Sequence, residues 1–272
     1  MEVTLDHAAA ALAAARSAGF AVDRAEVVRV AANVLVRLDP GPVAARLTGA
    51  TEGFRNSAAN LRREARLATA LAAAGAPVPA PLGGPYAVGG RVVTLWPWLD
   101  LSGQAGDAVA AGRALRACHD ALADVDPEGL DLEPLAMLSE ARRLATRALR
   151  EVLPAIERAL ATLGTAAPRI VHGDSHPGNV LWTAAGPLWG DWEDAHLGPL
   201  EWDLACLVSA ARVRGDDFGW GEAALAAHGG TYDETLLEAC VEARVAQGAA
   251  YLAATGRGEV GGHLAWLRSR AS

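Results

Sequence analysis

The sequence predicts an α+β fold, a small antiparallel sheet near the N-terminus followed by a mainly helical remainder. Two patterns carry that expectation. Between residues 26 and 47, β-branched runs alternate with a turn signal, Asp39-Pro40-Gly41, as in an antiparallel meander. Beyond Gly106, Ala- and Leu-rich stretches of helical periodicity dominate. The length of 272 residues, 51% of them apolar, allows one large domain or two modest lobes with ample core and excludes a disordered chain.

Taken in order, residues 5–18 read as a helix closed by Gly19. Its Ala8–Ala15 run follows Asp6 and His7 without a basic leader, so a capped helix is expected rather than a signal peptide. Strands are expected at 27–30, 34–38 and 43–47, with Ala31-Ala32-Asn33 as the first turn. The next helix, 60–74, carries Leu61, Ala65, Leu67, Ala68 and Leu71 on one arc and stops at Gly75 and Pro77. At about 100° per residue, Glu64 falls inside that arc, with Arg62, Arg63 and Arg66 outside it. A carboxylate facing a core requires a partner. After the Pro/Gly-rich stretch 77–90, a strand at 91–95 runs into Trp96-Pro97-Trp98-Leu99-Asp100. Helices are expected at 108–123, at 135–163 as two helices or one kinked at Pro154, and at 204–211, 222–228, 234–254 and from His263 onward.

The densest polar order lies in 170–203, IVHGDSHPGNVLWTAAGPLWGDWEDAHLGPLEWD. Val180-Leu181-Trp182 and Pro187 to Gly190 read as a hairpin around Thr183–Gly186. Such a hairpin sets Asn179 opposite Gly190 and Asp191 beside it, with side chains within roughly 5–8 Å of each other. The loop before Asn179 brings Asp174 alongside. A hard divalent ion held by an Asn and an Asp, with another carboxylate nearby, is what magnesium-dependent phosphoryl transfer uses.

On these residues the chain resembles the aminoglycoside phosphotransferase/choline kinase-like family. The motif is H-G-D-x-H-P-G-N at 172–179, then D-W-E at 191–193 and E-W-D-L-A at 201–205. The spacing D-x-x-x-x-N also matches the catalytic loop of protein kinases. The resemblance implies a two-lobed protein-kinase-like fold, divided here as an N-lobe over 1–99 and a C-lobe over 100–272. It implies transfer of the γ-phosphoryl group of ATP, or GTP, to a hydroxyl of a small molecule, with Asp174 catalytic and Asn179 and Asp191 holding Mg2+. The strand and bend at Trp96 and Trp98 would be the hinge that meets the nucleotide base. Asp203 would brace the catalytic loop, although it could also cap the helix that follows. His172 and His176 are expected to support the loop.

The sequence departs from the family in two places. The turn over the phosphates has no glycine, and at the place of the strand lysine stands Arg46. All 24 basic residues are arginine, so no lysine is available anywhere. Arg keeps the charge and adds a bidentate fork, but it is bulkier than Lys. Arg46 is therefore the expected phosphate clamp and Glu64 its partner; an exposed strand Arg and a rim Glu are the plain alternatives. Glu193, Asp194 and Trp192 could form part of a pocket for a cationic antibiotic or amino alcohol. Loop acids in water and a packed indole are the plain readings of the same residues.

Composition narrows the partners. A formal charge of −8 disfavours nucleic acid, and no apolar run reaches membrane-spanning length. Cys118, Cys206 and Cys240 are few and far apart, as buried thiols in a reducing cytoplasm would be. Two rival readings stay open. One is a metal-dependent hydrolase built on His172, Asp174 and His176; the other is a nucleotide-binding kinase-like protein with impaired catalysis.

Overall fold

The computed structural model describes residues 2–31, 33–49, 57–101, 106–214 and 219–270. Ala32, in the turn expected over the phosphates, lies outside them. The chain opens with helix α1 (Glu2–Ser17), strands β1 (Arg24–Val30), β2 (Asn33–Asp39) and β3 (Val43–Thr48), helix α2 (Ser57–Ala73), and strands β4 (Gly83–Val88) and β5 (Arg91–Pro97). The strands form one antiparallel sheet in the order β1-β2-β3-β5-β4.

The period of two along each strand decides what each face of the sheet carries. Val34, Val36 and Leu38 share a face with Val43, Ala45, Leu47, Val93 and Leu95, and α1 covers it with Ala10, Ala11, Ala14 and Ala15. The alanine methyls let the helix lie close to the sheet. The opposite parity, Ala44 and Arg46, faces α2, where Ala44 packs with Ala68 and Trp96. Arg46 is thus aimed at α2 by strand parity alone.

The helical part follows: α3 (Ala108–Leu122), α4 (Ala136–Ala148), α5 (Leu153–Leu163), β6 (Arg169–Val171), the hairpin β7 (Val180–Thr183) and β8 (Gly186–Trp189), β9 (His196–Gly198), α6 (Leu200–Arg214), α7 (Trp220–His228), α8 (Glu234–Thr255) and α9 (Gly261–Arg270). The 135–163 stretch is two helices. The first ends at Ala148, and Pro154 sits in the first turn of the second, where its missing N–H leaves nothing unpaired. Helix α8 is the axis of the main core, burying Leu237, Val241, Val245 and Ala249 among α4, α5 and α6. At the α3–α7 crossing, a Cβ on Gly112 would stand 2.1 Å from the Ala224 carbonyl oxygen, so only glycine allows that approach. No helix among the described residues is long and apolar enough to cross a membrane. Cys118, Cys206 and Cys240 are all buried and free.

Strands β4 and β9 escaped the sequence reading. In β4, Gly83, Gly84 and Pro85 mask the pattern, and only pairing with β5 makes it a strand. β9 is three residues long and is held by β6. The arginines on the polar side of α2 tie the two parts together. Arg63 donates to the Asp131 and Glu193 carbonyls at 3.1 and 2.5 Å, and Arg66 to that of Gly129 at 2.6 Å.

Candidate active site

The 172–175 stretch hangs from Asp203, which lies in the first turn of α6 and is fully buried. Its Oδ2 accepts the His172 N–H at 2.7 Å and the His119 Nε2–H at 2.9 Å, and its Oδ1 accepts the Gly173 N–H at 2.9 Å. Behind it, the Gly230 N–H donates to His228 Nδ1 at 3.3 Å, and His228 Nε2 meets His119 Nδ1 at 2.9 Å. That order fixes the tautomers: each imidazole donates through Nε2, and the relay ends on Asp203. Although burial opposes its charge, the His119 bond holds the Asp203 carboxyl below its ordinary value. Trp202 adds an indole N–H to the Gly173 carbonyl at 2.8 Å. Gly173 has φ +88°, and a Cβ there would stand 2.1 Å from the Asp194 carbonyl oxygen. A side chain could not occupy that position.

Asp174 and Asn179 come together as one unit. Asn179 Nδ2 donates to the Asp174 carbonyl at 2.8 Å and lies 3.4 Å from its Oδ2. His176 Nδ1 accepts the Gly178 N–H at 3.0 Å, and its Nε2 lies 3.4 Å from Asp174 Oδ2. The hairpin has the expected register: Val180 pairs with Trp189, and the Gly190 N–H donates to the Asn179 carbonyl at 3.0 Å. Asp191 follows at φ 63°, ψ 51°, in the left-handed region that non-glycine residues rarely adopt. Strained backbone of this kind concentrates at functional sites.

Arg46 joins the lobes. Its Nη1 bonds Glu64, while its Nη2 donates to Asp191 Oδ1 at 2.7 Å and lies 3.3 Å from Glu193 Oε2. Asn33, at the end of the covering turn, also bonds the Glu193 carboxylate. One guanidinium therefore faces three carboxylates, and the cluster keeps a negative surplus. Burial pushes the Glu64 carboxyl up to about 8 against the pull of Arg46, with the like charges of Asp191 and Glu193 adding to the rise. Asp191 moves the other way: burial opposes its charge, but Arg46 holds it below the ordinary value.

A cleft of about 320 Å³ runs between the sheet and the hairpin, lined by the apolar side chains of Ala44, Trp96 and Leu181 and by the polar ones of Arg46, Asn179 and Asp191. The Trp98 N–H is used on the Pro42 carbonyl at 2.7 Å, and Trp96 donates its indole N–H to Thr94 at 2.9 Å. Trp192 is buried, its ring on His172 at 4.4 Å between centroids and its indole N–H on the Trp189 carbonyl at 2.8 Å. Glu193 and Asp194 are buried too, Glu193 turned toward the sheet through Asn33 and Arg46.

The donor set suits a hard cation. With Asn179 Nδ2 committed to Asp174, its Oδ1 is left to face a ligand, and Asp191 uses only Oδ1 on Arg46. Two protein oxygens match an ion that completes its shell with water and substrate phosphates, as magnesium does. His172 fits no metal. Its Nε2 donates to the Gly190 carbonyl at 2.9 Å and its Nδ1 accepts the Asp174 N–H at 3.3 Å, leaving no ring nitrogen for a hydrolase ion.

The sequence reading missed Arg244. Helix α8 carries it to Asp174, where Nη2 bonds Oδ1 while Nη1 bonds Gln247. Although burial opposes its charge, Asp174 is held well below the usual carboxylate range, by Arg244 first and then by His176. The signal was present: Arg244 shares a helix face with Leu237, Cys240 and Val241, and a cation on an apolar face needs a partner. His119 and His228 were hidden more deeply, since nothing local to α3 or α7 shows that they meet.

A small sheet lobe and a helical lobe, with a cleft lined by an acid, an amide and a guanidinium, make up a protein-kinase-like fold. The chain belongs to the phosphotransferase enzyme family (APH), whose sequence profile matches residues 23–238. Membership of that family supports a phosphotransferase activity. Amicoumacin kinase hAmiN, solved with AMP-PNP, Ca2+ and Ami, superposes with a TM-score of 0.69 at 15% identity, over 90% of this chain and 86% of that one. Aminoglycoside phosphotransferase APH(3'')-Id from Streptomyces rimosus, solved with ADP and streptomycin, gives 0.61 at 20% identity, over 87% and 97%. Choline kinase LicA from Streptococcus pneumoniae gives 0.65 at 14% identity, over 96% of each chain. These likenesses are of fold. A comparison with curated protein sequences gives no match.

Proposed function

We propose that this protein transfers the γ-phosphoryl group of ATP, with Mg2+, to a hydroxyl of a small molecule. The observation that carries the reading is that Arg46, Asn179 and Asp191 line one cleft together with apolar side chains, and that Asp174 is hydrogen-bonded to Asn179. Residues 1–99 cover the nucleotide and 100–272 carry the catalytic loop and the acceptor side. The base lies in the apolar slot near Trp96 and Trp98. Arg46, backed by Glu64, turns its fork toward the phosphates from the place where the family has lysine. Asn179 Oδ1 and the outer oxygen of Asp191 hold Mg2+, which neutralises charge on the phosphates.

Asp174 receives the acceptor hydroxyl. With Arg244 beside it, it stays ionised and binds protons weakly, so it orients the hydroxyl and takes its proton late, as the bond to phosphorus forms. Most of the acceleration comes from placement and charge neutralisation. Asp203, His172 and His176 keep the loop in place without touching the reacting atoms. The nucleotides in two of the neighbours support ATP use. The compounds in the neighbours' names make an antibiotic or amino alcohol one candidate acceptor, and buried free thiols suit a cytoplasmic setting.

Asp174→Asn tests the assignment. Alanine there would leave Arg244 without its partner, whereas asparagine keeps an oxygen toward it. Turnover with an acceptor panel should fall at least a thousandfold while binding of magnesium and AMP-PNP stays within threefold; near-normal turnover refutes the role. One observation favours a second reading, a nucleotide binder without transfer: Asn33 and Arg46 both hold Glu193, closing the turn onto the phosphate end. ATP binding with no transfer to any acceptor would support it.

A further inference from the structure

The phosphotransfer reading requires no arginine on Asp174, yet Arg244 is paired with it. Its guanidinium comes from α8 and lies outside the cleft that holds Arg46, Asn179 and Asp191. It bonds Asp174 at Oδ1, whereas Asn179 approaches the other oxygen, Oδ2, at 3.4 Å. A guanidinium has five N–H groups. One is used on Asp174 and one on Gln247, and among the described residues the others have no protein partner. The Nε is not among the buried atoms lacking a partner, and the side chain keeps 17% exposure, so unspent donors are open to solvent beside the reacting position.

Arg244 is also fixed in place. Asp174 and Gln247 hold both of its terminal nitrogens, and moving it would leave Asp174 without its cation. An ammonium brought to Asp174 would meet a permanent positive charge that already neutralises the carboxylate. An oxyanion would find a fork with free N–H groups, the arrangement arginine offers carboxylates and phosphates.

We propose that Arg244 selects the acceptor: the substrate carries a carboxylate or phosphate close to the hydroxyl that Asp174 orients, and Arg244 grips that anion while it stays paired with Asp174. The inference rests on the phosphotransferase reading for which hydroxyl is meant, but its test does not depend on turnover. The full chain is titrated calorimetrically with 3-hydroxypropionate and glycerol 3-phosphate as anionic hydroxyl compounds, and with ethanolamine and choline as cationic ones.

The expected result is that one of the anions binds at least tenfold tighter than either cation, and which one it is tells carboxylate from phosphate. Arg244→Met should remove that preference, and Arg244→Lys, which keeps the charge and loses the fork, should retain part of it. Should Arg244→Met fail to fold, Arg244→Lys carries the test: an unchanged anion affinity overturns the proposal. Equal or tighter binding of choline or ethanolamine, or no binding of either anion to the parent protein, overturns it as well. Absence of ATP turnover would count against phosphotransfer and leave these titrations readable. Transfer to choline in preference to 3-hydroxypropionate would overturn the anion preference alone.

Discussion

Asp203→Asn keeps the shape of the side chain and removes its capacity to accept hydrogen bonds at both ends. In the parent, Oδ2 takes the His172 and His119 donors and Oδ1 takes the Gly173 donor. An amide can do one or the other. The better orientation keeps the pair on its oxygen and turns its NH2 toward the Gly173 N–H, leaving one buried donor unpaired and facing another donor. An orphaned buried donor costs about 1–3 kcal/mol, and the two surviving bonds lose their charge assistance, about 1 kcal/mol each. The total is about 3–5 kcal/mol, a large share of the roughly 5–15 kcal/mol by which such proteins are stable. Urea unfolding at pH 7 reads it as a lower midpoint at unchanged slope. Turnover should fall as well, because Gly173 is the residue before Asp174. An Asp203→Asn protein within about 0.5 kcal/mol of the parent, the range of a neutral surface change, would refute the bracing argument.

Three further outcomes are expected. Gly112→Ala puts a methyl on the Ala224 carbonyl, a contact of 2.1 Å that only separation of α3 and α7 relieves; a loss of about 1–3 kcal/mol in denaturant unfolding is expected. Burial first, then the neighbouring His119 and Arg116, pushes His228 down to about 4. The unfolded chain therefore takes up a proton near pH 6.5 that the folded one refuses until about pH 4, and stability falls as pH drops through that window. The side chain's share is about 3 kcal/mol at most, and His228→Gln should flatten the pH dependence of the urea midpoint between those limits. Arg46→Lys offers one ammonium where the fork spans Glu64 and Asp191; magnesium–nucleotide affinity should weaken about tenfold, roughly 1.4 kcal/mol, and calorimetry showing no change would count against the clamp.

The two-part layout was legible because strand and helix periods are local properties. Val34, Val36 and Leu38 alternate, Glu64 interrupts an apolar arc, and each pattern can be read within a dozen residues. The hairpin register that sets Asn179 beside Asp191 was also local, since a short turn leaves little freedom. Strands β4 and β9 were not legible. β4 is made of residues that disfavour strands, and β9 is too short to show a period.

What the sequence by itself determined is the set of groups in and beside the cleft: an acid, an amide and a second acid at fixed spacing, an arginine where lysine is usual, and a carboxylate that had to find a cation. Tertiary structure alone decided which distant side chains act on them. Arg244 lies 70 residues from Asp174, and the His228–His119–Asp203 relay draws on three helices. A long-range contact is set by how helices pack, and packing depends on the summed shape of the whole core. No single segment of the sequence contains that information, so the charge that Asp174 meets emerged only once α8 was in place.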